Sequence, residues 1–110
     1  DAVIGYLGNT SGVFTLRSDG NRDMSIGSGT VNNSVFIEGS NGNVGIGTVS
    51  PQSKLQVAGG IQMADDTDTA VVGKVGTLRY RTSGNNSYVD MCMQTAASTY
   101  AWINIVQNNW

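Results

Sequence analysis

The sequence predicts an all-β fold, and three observations carry that expectation. Val and Ile supply 19 of the 110 residues against 4 Leu, and β-branched side chains suit a pleated sheet and disfavour a helix. Gly, Asn, Ser and Thr supply a further 47, the types that punctuate turns and, for Gly and Asn, accept positive φ. No segment longer than about eight residues carries a helical apolar period; the apolar residues fall in short pairs and triplets.

The first half contains an imperfect repeat. Phe14-Thr15-Leu16-Arg17-Ser18-Asp19-Gly20-Asn21 is echoed 22 residues later by Phe36-Ile37-Glu38-Gly39-Ser40-Asn41-Gly42-Asn43. Each copy returns to a short apolar segment, Met24–Gly27 in the first and Val44–Gly47 in the second. The unit reads strand, turn, strand, because Asp-Gly and Asn-Gly favour tight hairpin turns. In Val44-Gly45-Ile46-Gly47 one face carries Val44 and Ile46 and the other carries no side chain. A bare face makes sense where another backbone comes close, as in chains wound about a common axis.

Ser50-Pro51 reads as a turn or the opening of one helical turn. Leu55–Val57 and Ile61–Met63 read as two more short strands, broken by Gly59-Gly60. Residues 64–75 form a polar, acidic connector. The remainder reads as a three-strand meander: Gly76–Arg81, with Leu78 and Tyr80 on one face; a turn at Thr82–Asn86; Tyr88–Gln94; a small-residue turn at Thr95–Ser98; and Tyr100–Val106. The third strand carries apolar groups on both faces, Tyr100 and Trp102 on one and Ala101, Ile103 and Ile105 on the other. A sheet of three strands cannot cover both its own faces, so partner chains are expected. Short apolar segments that bury little alone point the same way.

The stretch Gly42-Asn43-Val44-Gly45-Ile46-Gly47-Thr48-Val49-Ser50-Pro51-Gln52-Ser53-Lys54-Leu55-Gln56-Val57-Ala58-Gly59 resembles a motif of bacteriophage tail fibres and tailspikes, in which G-N-V-G-I-G-T leads through S-P to K-L-x-V-x-G. Gly76-Thr77-Leu78-Arg79-Tyr80, Tyr88–Cys92 and the Trp102, Ile103, Ile105 strand resemble a terminal element of the same fibres. That element usually has an Asn-Gly turn after its middle strand, where this sequence has Met93–Thr99. The resemblance implies an intertwined, elongated, parallel homotrimeric β shaft, triple β-helix or β-prism-like, over residues 1–63. Residues 64–75 would then be a connector and 76–110 a terminal antiparallel β-module that caps and registers the trimer. A cap of that kind suppresses register slips in a repetitive shaft. The implied role is structural and host-attaching, in the virion, with a host-cell surface glycan or protein as partner besides the chain itself. A non-catalytic C-terminal portion of a tailspike polysaccharide hydrolase or lyase, its active site upstream, is the alternative. The start at Asp1 reads as a fragment or a processed product.

Several function classes are disfavoured. There is no His, hence no His general base and no Ser-His pair, and no enzyme is expected from this chain. Cys92, between Met91 and Met93, reads as a small core residue. Asp65, Asp66 and Asp68 lack the further ligands of a calcium loop, and no metal or cofactor is expected. Six scattered Lys and Arg with a net charge of −2 do not form a nucleic-acid footprint. No apolar stretch is long enough to span a bilayer as a helix. Tyr88, Tyr100, Trp102 and Trp110 are the candidate receptor contacts. Surface aromatics stack on sugar rings; alternatively, Tyr100 and Trp102 fill an interface between chains.

Overall fold

The computed structural model describes residues 5–109, and these are all-β: nine strands and one 3-10 turn, with no α-helix among the described residues. The chain forms two compact units, residues 1–61 and 62–110. The division lies two residues before the connector expected from sequence, and the whole connector belongs to the second unit.

The first unit opens with a two-stranded hairpin, β1 (Gly5–Thr10) and β2 (Val13–Ser18). Ser11 and Gly12 between them both take positive φ, which matches the twist of the strands they join. A four-stranded sheet follows in sequence order: β3 (Met24–Ser28), β4 (Val31–Ile37), β5 (Val44–Ile46) and β6 (Leu55–Val57). Gly29, at φ 60, starts the β3–β4 turn.

The hairpin expected around Asn41-Gly42 is present as β4–β5. Its loop is closed by the Gly42 amide donating to the Glu38 carbonyl at 2.7 Å and by the Asn41 carboxamide oxygen accepting from the Asn43 amide at 2.7 Å. The hairpin expected around Asp19-Gly20 is a correction. β2 pairs with β1, and β3 pairs with β4, so the two strands flanking Asp19-Gly20 lie in different sheets. Each had a nearer partner across a two-residue turn; the chain does turn at Gly20-Asn21, with the Arg22 amide donating to the Asp19 carbonyl at 3.4 Å, but that turn joins two sheets. Ile61–Met63 is not a strand, and the Ser50-Pro51 region bends without a helical turn.

β5 and β6 are parallel, joined by only residues 47–54. Parallel neighbours usually need a crossover of about a dozen residues or more. The short path works because Gly47 takes φ 73 and because the crossover packs back on the bare face of β5. A Cβ on Gly45 would run into the Thr48 carbonyl oxygen. The side chain of Asn43 donates to the Pro51 carbonyl at 3.3 Å, and the Gln52 amide donates to the side chain of Gln56 at 2.8 Å. Pro51 and Gly45 are buried, and Phe36, next to Gly45 on β4, is 8% exposed. The backbone expected to approach the glycine face is therefore Thr48 of the same chain, where a separate chain was expected.

The opposite face of this sheet is aliphatic. Register places Ile37, Val44 and Leu55 in one row and Val35, Ile46 and Val57 in the next, with Met24 and Ile26 alongside. Ile26, Ile46 and Leu55 on that ladder are exposed, and on β2 Phe14 is 70% exposed.

The second unit is a meander of β7 (Leu78–Ser83), β8 (Asn86–Ala96) and β9 (Thr99–Asn108), as the sequence predicts, with longer strands and tighter turns. Gly84 at φ 59 opens one turn. Ser98 at φ 55 takes the left-handed position of the other. A bulge between Val89 and Asp90 leaves Ile105 without an opposite residue.

Candidate functional site

Alternation along β7–β9 divides the sheet's side chains into two sets, and the register fixes their membership. One face holds Arg79, Arg81, Tyr88, Asp90, Cys92, Tyr100, Trp102 and Asn104. The other holds Leu78, Tyr80, Val89, Met91, Met93, Ile103 and Val106.

The first face is closed by the chain itself. Residues 64–77 cross it as a strap, pinned mainly through main-chain acceptors. Trp102 Nε1 donates to the Asp68 carbonyl at 3.0 Å, and Arg79 Nη1 donates to the Asp66 carbonyl at 2.8 Å. The Cys92 sulfur lies 3.9 Å from the Val71 carbonyl, and Cys92 is fully buried, the core residue that its apolar strand implied. The Gly76 amide donates to the Cys92 carbonyl at 2.8 Å, and the Cys92 amide donates to the Thr77 carbonyl at 2.9 Å. A 3-10 turn at Val72–Lys74 redirects the strap and sets Lys74 2.7 Å from Asp66 and 2.9 Å from Asp68.

Under the strap sits a buried carboxylate, Asp90, at 1% exposure. Arg81 Nε donates to its Oδ2 at 2.6 Å and Arg79 Nε donates to the same oxygen at 3.0 Å, while Asn104 Nδ2 donates to Oδ1 at 3.2 Å. Burial pushes the Asp90 carboxyl up, but the hydrogen bonds from Arg81, Asn104 and Arg79 outweigh it, so its pKa lies below the usual carboxylate value. The hydrogen bond to Asp90 likewise raises Arg81. In the strap, the Lys74 ammonium holds Asp66 low and is itself raised, first by Asp66 and then by Asp68. A carboxylate saturated by donors is an anchor and is poorly placed to accept a proton.

The candidate receptor aromatics are brought onto this face. Trp102 lies beneath the Arg79 guanidinium at 4.3 Å, and Tyr88 beneath that of Arg81 at 4.0 Å. Tyr100 is half-buried beside Gln94. Trp110 lies outside the described residues. Trp102 and Tyr88 thus already have cation partners, and the Trp102 N–H is spent on the strap. Asp65, Asp66 and Asp68 are tied to Arg79 and Lys74, with Asp65 3.8 Å from Arg79. No group of three or more potential metal ligands converges among the described residues.

The cluster around Asp90 was missed by sequence reasoning. Its signal was present: a lone carboxylate between Tyr88 and Cys92 at an inward position, opposite an alternating Arg79, Arg81 pair. Charges are rarely buried unless paired, so an inward Asp demands a facing Arg.

The second face is open and carries no charged residue. Leu78, Tyr80, Ile103 and Val106 on it are exposed, and Val89, Met91 and Met93 are half-exposed. The Tyr80 hydroxyl is satisfied within the face by Ser87 Oγ at 3.0 Å. A shallow groove of about 190 Å³ lies at one end, bounded by Tyr80, Ser87, Val89, Val106 and Asn108. Among the described residues no helix is long and apolar enough to cross a membrane. Compared with protein-family models, with curated proteins and with solved structures, the chain gives no match.

Proposed function

We propose that this chain is a structural and host-attachment part of a phage tail fibre or tailspike that works as a parallel homotrimer. Its first unit would supply a β shaft and its second a terminal module. The observation that carries this reading is the shortage of self-burial. The accessible surface is 8006 Å², whereas a compact monomer of 11.5 kDa exposes about 5,800 Å². Two separate compact units of half that mass would together expose only about 7,000 Å². Among residues 11–109, Phe36 and Cys92 are the only side chains of Val, Ile, Leu, Met, Phe, Trp, Tyr or Cys type that are buried. An aliphatic ladder on the four-stranded sheet remains uncovered. The surplus apolar surface is what chains packed about a common axis would share.

The resemblance of residues 42–59 to fibre shafts supports the same reading, and the roles of Gly45, Gly47, Pro51 and Lys54 give that motif a local logic. Lys54 Nζ, for example, donates to the Gly42 carbonyl at 3.0 Å, fixing the crossover to the preceding turn.

Two measurements test the proposal. Native mass spectrometry of the chain is expected to give one dominant species of three copies. Fluorescently labelled trimer is expected to adsorb saturably to the surface of at least one bacterium in a panel, with competition from its purified surface glycan or outer-surface protein. A trimer that adsorbs to none would remove the attachment role; a monomer would remove the proposal.

A further inference from the structure

We infer that the open face of the β7–β9 sheet is the contact between chains: Leu78, Tyr80, Met91, Met93, Ile103 and Val106 pack against the same face of neighbouring copies around the common axis. The strap face, with Trp102 and Tyr100, belongs to each chain's own interior and exterior. This rests on the homotrimer reading and adds which side of the terminal sheet faces the partner. It also reverses the sequence expectation that Tyr100 and Trp102 fill the interface.

Five features choose a second copy as the occupant. The centre of the other face, Asp90 and Cys92, is buried beneath residues 64–77, which are pinned through the Asp66 and Asp68 carbonyls, whereas no side chain named on the open face is buried. All the charges of the sheet, Arg79, Arg81 and Asp90, lie on the closed face, and the open face offers a charged ligand nothing to pair with. Interface centres are depleted of charge and enriched in Tyr and Met, which is the composition of this face. Its Tyr80 hydroxyl is bonded to Ser87, so covering it leaves no orphaned donor. Finally, the chain as a whole exposes about 1,000 Å² more than two compact units of its mass would, so there is surplus surface for copies to share. An apolar face meeting its own copies is self-complementary without any further device.

The test uses thiol labelling of the full chain. Native Cys92 is fully buried and serves as a silent background. Ile103→Cys and Val72→Cys place thiols on the open face and on the exposed strap turn; both positions are exposed within one chain. In the assembled protein Ile103→Cys is expected to react with a maleimide about 100-fold more slowly than Val72→Cys, because labelling would need local opening of the interface. Ile103→Arg is expected to raise the concentration for half-assembly at least about tenfold, a loss of roughly 2.7 kcal/mol per trimer because the trimer dissociation constant scales as concentration squared, with the strand signal in circular dichroism retained above that concentration. Failure of Ile103→Cys to assemble while Val72→Cys assembles also supports the inference. If the wild type is a trimer but the two thiols react at similar rates, or Ile103→Arg assembles like the wild type, the face is open in the assembly and the inference is overturned while the trimer reading stands. A monomeric wild type overturns both.

Discussion

At the scale of single residues, two positions are the least tolerant of substitution. Gly45 is the point at which the β5–β6 crossover touches the sheet, and any Cβ there meets the Thr48 backbone. Gly45→Ala is expected to destabilise the first unit by about 1–3 kcal/mol, as overpacking does, read from the midpoint of denaturant unfolding. Asp90 is the second. Its removal leaves two guanidinium groups under the strap without their shared carboxylate, and Asp90→Ala is expected to cost about 3 kcal/mol, the lower end for breaking a buried ion pair, because Arg81 keeps partial access to water. The same carboxylate sets an acid limit. A folded pKa below the unfolded value means that the unfolded chain binds the proton first. The stability from Asp90 is therefore full above the ordinary carboxylate pKa and lost as pH falls through the lower folded value. Thermal melting of the second unit is expected to hold from neutral pH to about pH 5 and to fall progressively below about pH 4; a melting temperature flat down to pH 2 would refute the role given to Asp90. Gly45 was legible in the sequence as a bare position awaiting a backbone. What approached it was not, because a glycine records that space is needed and carries no mark of who fills it.

At the scale of elements, the meander and the second hairpin were readable because their alternation and turn residues agree. The first hairpin was misread because Asp19-Gly20 carries a strong turn signal, while Ser11-Gly12 and Gly29-Thr30, with weaker signals, hold two-residue turns that pair both flanking strands elsewhere. Turn chemistry says where the chain reverses; loop length decides which strands meet. The sequence reads residues 64–75 as a polar, acidic connector. Its charges suggested this, and what changes the outcome is the main chain: the strap is held largely through carbonyls, which composition does not reveal. That distinction has a consequence. Lys74 and Asp66 are half-buried and Asp68 is exposed, and pairs that keep contact with water add little, so Lys74→Ala is expected to shift the unfolding midpoint by no more than about 1 kcal/mol. Arg79→Ala removes the Asp66 carbonyl contact, a bond to Asp90 and the stacking on Trp102 together. It is expected to lower the midpoint and to shift Trp102 emission to the red as the strap lifts.

At the scale of the whole molecule, both units repeat one design. Each sheet closes one face with its own chain, by the residue 47–54 crossover in the first unit and by the strap in the second. Each leaves its other face apolar, uncharged along the rows described, and exposed. A sheet face of that kind is stable in water only when something covers it, and in a repetitive fibre the cheapest cover is another copy of the same chain. On the proposed trimer, the low charge of the sequence and its scattered Val and Ile have a single cause: they would be half of a packing arrangement whose other half lies in the neighbours. The measurement that tests this most directly is solution mass by light scattering over a dilution series of the purified chain. The account predicts about three times 11.5 kDa at micromolar concentration, with loss of folded signal when the assembly dissociates. A stably folded species of a single chain's mass across that range would contradict it.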